Sequence, residues 1–314
     1  MLRKSRLVQP GDFILSNSMS FGRPYIMKIQ GCIHDGWLVF KQKSGNVSKD
    51  YIYSILSSNN VKAQFVKSAT GGVVNNLNIN LVKEVKIPVP PLHIQEEIVA
   101  EIESYQKIID GARQVVENYK PRIDIDPEWE MVELGKICET SSGGTPLKSK
   151  PEYYGGNIPW LKSGEVAQGL IYSVEETITE YGLKSSSAKL FPKNTVLVAM
   201  YGATAGKVGV LKIESTTNQA VCGILPNESY IPEFLYYYLL SQTDYLISQS
   251  TGGAQPNISQ AIIRRLKIPK PPIETQRNIV SNILQEHSCV SSNKQLIEIF
   301  DKKIKDRIAK VWGG

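Results

Sequence analysis

Lys86-Ile87-Pro88-Val89-Pro90-Pro91-Leu92-His93-Ile94-Gln95 returns later in the chain as Lys267-Ile268-Pro269-Lys270-Pro271-Pro272-Ile273-Glu274-Thr275-Gln276. The offset is 181 residues (267 − 86), and it holds without a gap from 70–102 to 251–283, where 13 of 33 positions are identical. Thr70-Gly71-Gly72 pairs with Thr251-Gly252-Gly253, Ile98-Val99 with Ile279-Val280, and Ile102 with Ile283. A match this long means a duplicated unit, and a repeat decides architecture before any single motif does.

Upstream the match continues with small indels. Residues 10–15 (PGDFIL) resemble 192–197 (PKNTVL) at offset 182, Gly22 matches Gly206 at 184, and Ile55-Leu56-Ser57 matches Leu239-Leu240-Ser241 at 184. Residues 130–189 have no counterpart, so the first unit is expected to lack its front portion. A start placed too late, a broken or recombining allele, or a partner fragment would each account for that.

Downstream, each Pro-Pro closes its unit because proline cannot continue a strand ladder. A helical pattern follows. Ile94, Ile98, Ile102, Tyr105, Ile109, Ala112, Val116 and Tyr119 recur at threes and fours in the first copy. Ile279, Ile283, His287, Val290, Ile297, Phe300, Ile304, Ile308 and Val311 do nearly the same in the second, with one step of seven. Spacing near 3.5 predicts a coiled-coil seam. Within the units, residues 37–41 (WLVFK), 194–200 (NTVLVAM) and 209–213 (GVLKI) predict strands, and 49–57 and 233–241 predict helices. The fold class expected is α+β, with two pseudo-symmetric globular domains joined by two long helices as an antiparallel coiled coil. The boundaries expected are 1–92 for a partial first domain, 93–127 for a spacer helix and linker, 128–273 for the second domain, and 274–314 for a C-terminal helix.

The 314 residues carry a formal net charge of +6 and are 41% hydrophobic, which suits a globular chain and permits nucleic-acid binding without demanding it. Cys32, Cys138, Cys222 and Cys289 form no CxxC pair, which argues against a disulfide framework or a zinc site and fits a reducing cytoplasm. No secretory signal and no membrane span are expected.

Several chemistries are set aside. The run from Gly202 to Lys207 has three residues between its glycines and Val208 after the lysine, so it reads as a strand-linking turn and not a phosphate loop. Neither Pro-Pro site carries the polar and aromatic neighbours of a DNA amino-methyltransferase motif. Cys32 and His34 lack a second ligand pair, and His93 and His287 fall in the helical stretches. No catalytic residue and no metal site are therefore assigned. The Thr-Gly-Gly segments read equally as turns or as loops made small for close approach to a groove.

Two units, each closed by an I-P-x-P-P-x-x-x-Q run (87–95 and 268–276) into a long helix, resemble the specificity subunits of type I restriction-modification enzymes. Ser142-Gly143-Gly144-Thr145-Pro146 and Ile158-Pro159-Trp160-Leu161-Lys162 are similar to segments that open a target-recognition domain in that family. The resemblance implies two such domains, each reading half of a split DNA target, and helices that dock methyltransferase subunits and, where present, restriction subunits. It implies no cofactor in this chain, since S-adenosylmethionine, and ATP with Mg, belong to the partners. A helix over 93–120 would span about 42 Å, against about 34 Å for one turn of DNA, so paired helices would set the spacing of two half-sites.

On that reading Gly144, Thr145, Lys148, Lys150, Lys162, Lys184, Lys207, Gln255, Asn257, Arg264 and Arg265 are the candidate DNA contacts, the cations for phosphates and Thr145, Gln255 and Asn257 for base edges. Arg23, Lys62 and Lys67 are weaker counterparts in the first unit. Ile94, Ile98, Ile102, Ile109, Val116, Ile279, Ile283, Val290, Ile297, Ile304 and Ile308 are the candidate coiled-coil and docking residues. The rival readings are a silent cassette acting only as a protein scaffold, and a nuclease or methyltransferase in one chain.

Overall fold

The computed structural model describes residues 6–17, 22–41, 45–69, 77–251 and 256–313. Its contacts divide the chain into unit 1, residues 1–119 with 290–314, and unit 2, residues 120–289. The helix after the second Pro-Pro site is therefore shared between the two groupings, where the sequence suggested a separate C-terminal element. Thr70, Gly71, Gly72, Gly252, Gly253 and Gln255 lie outside the described residues.

Unit 1 opens with β1 (Arg6–Val8), β2 (Phe13–Ser16), β3 (Pro24–Ile26), β4 (Gly31–Ile33) and β5 (Trp37–Phe40). Helices α1 (Lys49–Leu56), α2 (Asn59–Ala69), α3 (Ile79–Glu84) and α4 (Leu92–Asn118) follow. The strands form a three-stranded antiparallel sheet in the order β3-β2-β5 and a separate β1-β4 pair. Leu15, Tyr51, Ile55, Phe65, Leu77, Ile98 and Ile308 make the core, with Ile94, Ile102 and Ile304 packed against it.

In unit 2, β6 (Met131–Glu133), α5 (Leu134–Ile137), β7 (Thr140–Ser142), β8 (Tyr154–Leu161), β9 (Leu170–Ile171), β10 (Glu176–Ile178) and α6 (Glu180–Lys184) come from the front portion. Then come β11 (Leu190–Phe191), β12 (Val196–Ala199), β13 (Val208–Leu211), β14 (Ser215–Thr217), β15 (Val221–Ile224), α7 (Pro232–Ser241), α8 (Thr243–Ser248), α9 (Gln260–Arg265), β16 (Lys267–Pro269) and α10 (Ile273–Val311). One sheet runs β7-β15-β12-β13-β9, a second runs β10-β8-β14-β11, and β16 pairs with β6. β12, β13 and β15 are buried along their whole length, as expected of central strands covered on both faces.

The repeated glutamine has a physical cause. Gln95 is fully buried, accepts the Ser48 N–H at 2.8 Å, and donates to the carbonyls of Asn46 (3.1 Å) and Pro90 (2.7 Å). Gln276, also fully buried, accepts the Ile231 N–H at 2.9 Å and donates to Ser229 (2.9 Å) and Pro271 (3.0 Å). One carboxamide thus pins the Pro-Pro turn that starts a long helix to the loop that starts α1 or α7. Proline supplies no N–H and each turn leaves carbonyls to satisfy, so a buried side chain with two donors and an acceptor suits the site.

These bonds also correct the upstream alignment. Ser48 and Ile231 are equivalent at offset 183 (231 − 48), which pairs buried Tyr51 with buried Phe234. The strand register shifts likewise. Gly11 (φ +86°) and Asn194 (φ +72°) occupy the same left-handed turn, donating to the Met27 and Leu211 carbonyls at 2.7 Å each, so that offset is 183 and not 182. Asparagine is among the few side chains that tolerate this region. Gly22 and Gly206 do match at 184: both have positive φ, and both donate back to the preceding strand, at Ser16 and Ala199. The Gly202–Lys207 run is the link between β12 and β13.

Within unit 1, α4 and the distal half of α10 run antiparallel. Arg307 Nε donates to Glu101 Oε2 at 2.6 Å, while one turn later on α4 the Tyr105 ring meets Phe300 at 5.3 Å. Residue number rises on one helix as it falls on the other. At the other end of α10, Val280 and Ile283 belong to the core of unit 2 and Ile279 packs against it, as Ile98 and Ile102 do in unit 1. Tyr105 Oη also donates to Glu101 Oε1 at 2.8 Å, and these two bonds hold the Glu101 carboxyl below its ordinary 4.5. A depressed folded value adds stability that is intact above the unfolded value and fades as pH falls through the lower one. Thermal unfolding at about pH 6 and about pH 3 is expected to show a larger acid loss for the native chain than for Arg307→Met. The difference will be small, because both side chains are partly exposed.

Candidate nucleic-acid interface

The two front segments of unit 2 fold onto each other. Trp160 Nε1 donates to the Gly144 carbonyl at 3.0 Å, and Tyr154 Oη donates to the Pro146 carbonyl at 2.6 Å. The two rings meet edge to face at 5.8 Å. Gly144 N donates to the Thr217 carbonyl at 2.8 Å, so the strip also lies against the turn after β14. A side chain on Gly143 would overlap Thr217 and the Asn218 carbonyl, and one on Gly144 would overlap the backbone of Ser187 and Ala188. Close backbone approach is what these glycines provide. Gly144 is buried, which corrects its place among the contact residues.

Beside this strip is an open cavity of about 550 Å³, lined by Thr145, Lys148, Tyr154, Trp160, Lys162, Glu176, Asn218 and Gln219. Thr145 Oγ1 donates to Gln219 Oε1. The Asn218 carboxamide oxygen accepts the Ala220 N–H at 3.2 Å and shapes the turn, and Gln219 is exposed at its tip. Asn218 and Gln219 were absent from the sequence-based candidates; the only signal was the polar turn Thr216-Thr217-Asn218-Gln219. Lys162 is ion-paired with Glu176, and that hydrogen bond pushes its ammonium value up. Glu165, nearly buried, accepts the Lys162 and Glu175 N–H groups at 2.9 Å each and fixes that corner.

The other candidates fall elsewhere in unit 2. Lys150 and Lys184 sit in exposed pairs with Glu152 (3.5 Å) and Glu180 (3.9 Å), which compete only weakly for their charge. Lys207 is exposed just after the Gly206 turn, and Arg23 follows Gly22 in the same place in unit 1, 5.4 Å over the Tyr25 ring. Asn257 is exposed and its backbone bridges Thr251 and Tyr201. Arg264 and Arg265 end α9 and line a separate hollow of about 300 Å³ with Glu133, Gly135, Lys136 and Ala261. Among the described residues, no three His, Cys, Asp or Glu side chains are grouped as a metal cage needs, and no helix is long and apolar enough to cross a membrane.

The chain is a tandem-repeat protein, a duplicated α+β module whose fuller copy presents amides, aromatic edges and lysines around an open cavity. The model of the type I restriction modification DNA specificity domain matches residues 2–118 and 127–299, and the chain belongs to that family. It is 31% identical over 183 residues to the type I restriction enzyme MjaIX specificity subunit of Methanocaldococcus jannaschii, covering 57% of this chain and 42% of that protein. It is 30% identical over 190 residues to the EcoR124I/EcoR124II specificity subunit of Escherichia coli, covering 59% and 46%. The chain thus matches less than half the length of either relative. The crystal structure of the HsdS subunit from Thermoanaerobacter tengcongensis shares the fold at a TM-score of 0.59 and 19% identity, covering all of this chain and 83% of that one.

Proposed function

We propose that this chain is a DNA-reading specificity subunit of a type I restriction-modification system, working in the cytoplasm and without a catalytic site of its own. The observation that carries the reading is the cavity where Thr145 and the Asn218–Gln219 turn sit beside Lys148. A carboxamide offers a donor and an acceptor to a base edge, and a lysine neutralises a phosphate. Lys148, Lys207, Arg264 and Arg265 are the phosphate contacts of this proposal, and Gln219, Thr145 and Asn257 the base-edge contacts. The partners proposed are double-stranded DNA, methyltransferase subunits that bring S-adenosylmethionine, and restriction subunits that bring ATP and Mg. The antiparallel helix pairing supports the docking role, with Ile109, Val116, Val290 and Ile297 as the residues to vary.

Coexpression with a methyltransferase subunit, with this chain as the sole specificity subunit, and methylome sequencing test the whole reading. At least one defined half-site, read by unit 2, is expected; a methylome with no defined half-site would refute the reading. Fluorescence anisotropy on the mapped site is expected to show affinity falling steeply with salt. Lys148→Ala should reduce the salt slope by about one, while Gln219→Ala should relax preference at one base pair by about 1–3 kcal/mol. Salt-insensitive, negligible binding would favour the scaffold reading.

A further inference from the structure

The cavity beside the 142–146 strip holds one charged group outside the proposed contacts, the carboxylate of Glu176. Its place is set by the sheet. β10 pairs antiparallel with β8, and Glu176 stands directly opposite Trp160, so the two side chains share a face. Lys162 follows β8 in extended backbone, two positions beyond Trp160, which returns its side chain to that face. Ammonium and carboxylate therefore meet at the cavity wall, each partly exposed.

The pair is held from behind. Glu165, nearly buried, accepts the Lys162 N–H with one carboxylate oxygen and the Glu175 N–H with the other, at 2.9 Å each. One carboxylate thus ties together the two strand ends that carry Lys162 and Glu176. Burial, and after it the Glu176 charge, push the Tyr154 phenol up, in keeping with a carboxylate that faces the cavity Tyr154 lines.

A carboxylate on a face that meets DNA is a strong filter. It repels every phosphate, and covering it without a donor strips its water at a large cost. The groups in the major groove that offset this are the exocyclic amines of cytosine and adenine. The ammonium adds a second condition. Of its three N–H groups one goes to Glu176, which leaves two. Guanine presents two acceptors, O6 and N7, and the N4 amine of its cytosine partner lies beside them. An A·T pair sets its amine between single acceptors and ends in the thymine methyl, which would cover charge and return no bond.

We propose that Lys162 and Glu176 act as one reading unit for a G·C pair in the half-site of unit 2, with the Lys162 ammonium on guanine O6 and N7 and the free oxygen of Glu176 on cytosine N4. The inference rests on the DNA-reading function and deepens it, naming a base pair and the two residues that select it. Gln219 and Thr145, hydrogen-bonded to each other, are left for a neighbouring pair. Selection works by exclusion as well as by contact, since thymine in place of cytosine turns its O4 acceptor toward the carboxylate.

The test uses the complex with the methyltransferase subunit and the half-site that methylome sequencing assigns to unit 2. Its cytosines are replaced one at a time by 2-pyrimidinone, which is cytosine without the amine, and its adenines by purine, which is adenine without the amine. Fluorescence anisotropy measures each duplex against the native chain, Glu176→Met and Lys162→Met. Loss of one cytosine amine is expected to weaken native binding about tenfold and Glu176→Met binding by less than about twofold. Replacing the guanine opposite by 7-deazaguanine, which lacks N7, should weaken the native complex about fivefold and leave Lys162→Met unchanged. The unfolding midpoints of both variants should stay near the native value, because the pair is partly exposed. A native chain that keeps its half-site while no base amine couples to Glu176 would overturn this inference and leave the DNA-reading function standing. Coupling to an adenine amine instead would overturn the assignment to G·C. A native complex that binds all sequences alike would overturn both.

Discussion

Gln276→Leu is expected to destabilise unit 2 by about 2–4 kcal/mol in urea unfolding, a loss far above that of an ordinary surface change. The side chain is fully buried and replaces water for three backbone groups, the Ile231 N–H and the carbonyls of Ser229 and Pro271. Leucine fills much of the volume and satisfies none of them, and an unpaired buried group costs about 1–3 kcal/mol. Gln276→Glu separates the donors from the acceptor. At neutral pH it keeps the bond from Ile231 but turns a carboxylate toward two carbonyl oxygens in a dry site. Burial and those oxygens raise the folded carboxyl value, so the stability of this variant is greatest below the unfolded value and falls as pH rises through the folded one. Its deficit relative to the native chain should therefore shrink on acidification, while the deficit of Gln276→Leu stays flat. Equal pH profiles for the two variants would refute the latch. Gln95→Leu is expected to do the same to unit 1, since Ser48, Asn46 and Pro90 stand in the same relation to it.

That glutamine was visible in the sequence only as a repeated letter. The 181-residue register exposed the duplication because local motifs survive in both copies, but the partners of Gln95 and Gln276 lie 45 to 49 residues away along the chain or behind a proline turn. Distance in sequence hides them. The upstream offset slipped by one because Pro10 and Pro192 look alike, whereas the backbone equates Gly11 with Asn194, two residues linked by φ and not by letter. Periodicity identified the buried faces of both long helices. It could not say what buries them: Ile98 and Ile308 lie in the core of unit 1 and Ile283 in that of unit 2. Segments 142–146 and 158–162 fold onto each other beside the cavity. The turn bearing Asn218 and Gln219 reaches that place only through the β14–β15 connection, which no local pattern announces.

The second large effect follows from the same part of the fold, because it separates packing from contact at neighbouring positions. Gly144→Ala is expected to destabilise unit 2 by about 3 kcal/mol or more, the upper range for a side chain forced into a closed space. The added methyl meets main-chain atoms of Ser187 and Ala188, which cannot rotate away as a flexible side chain could. Relief requires the strip to lift, and lifting it breaks the Trp160 and Thr217 bonds that place Thr145 at the cavity. DNA affinity should then fall together with the unfolding midpoint, and Trp160 fluorescence should shift. Lys148→Ala and Gln219→Ala sit on the same cavity with exposed side chains, so the first should lower affinity and the second base preference while the midpoint stays fixed. If Gly144→Ala kept its midpoint but lost DNA, the glycine would be meeting the duplex directly and Trp160 would not be what holds it.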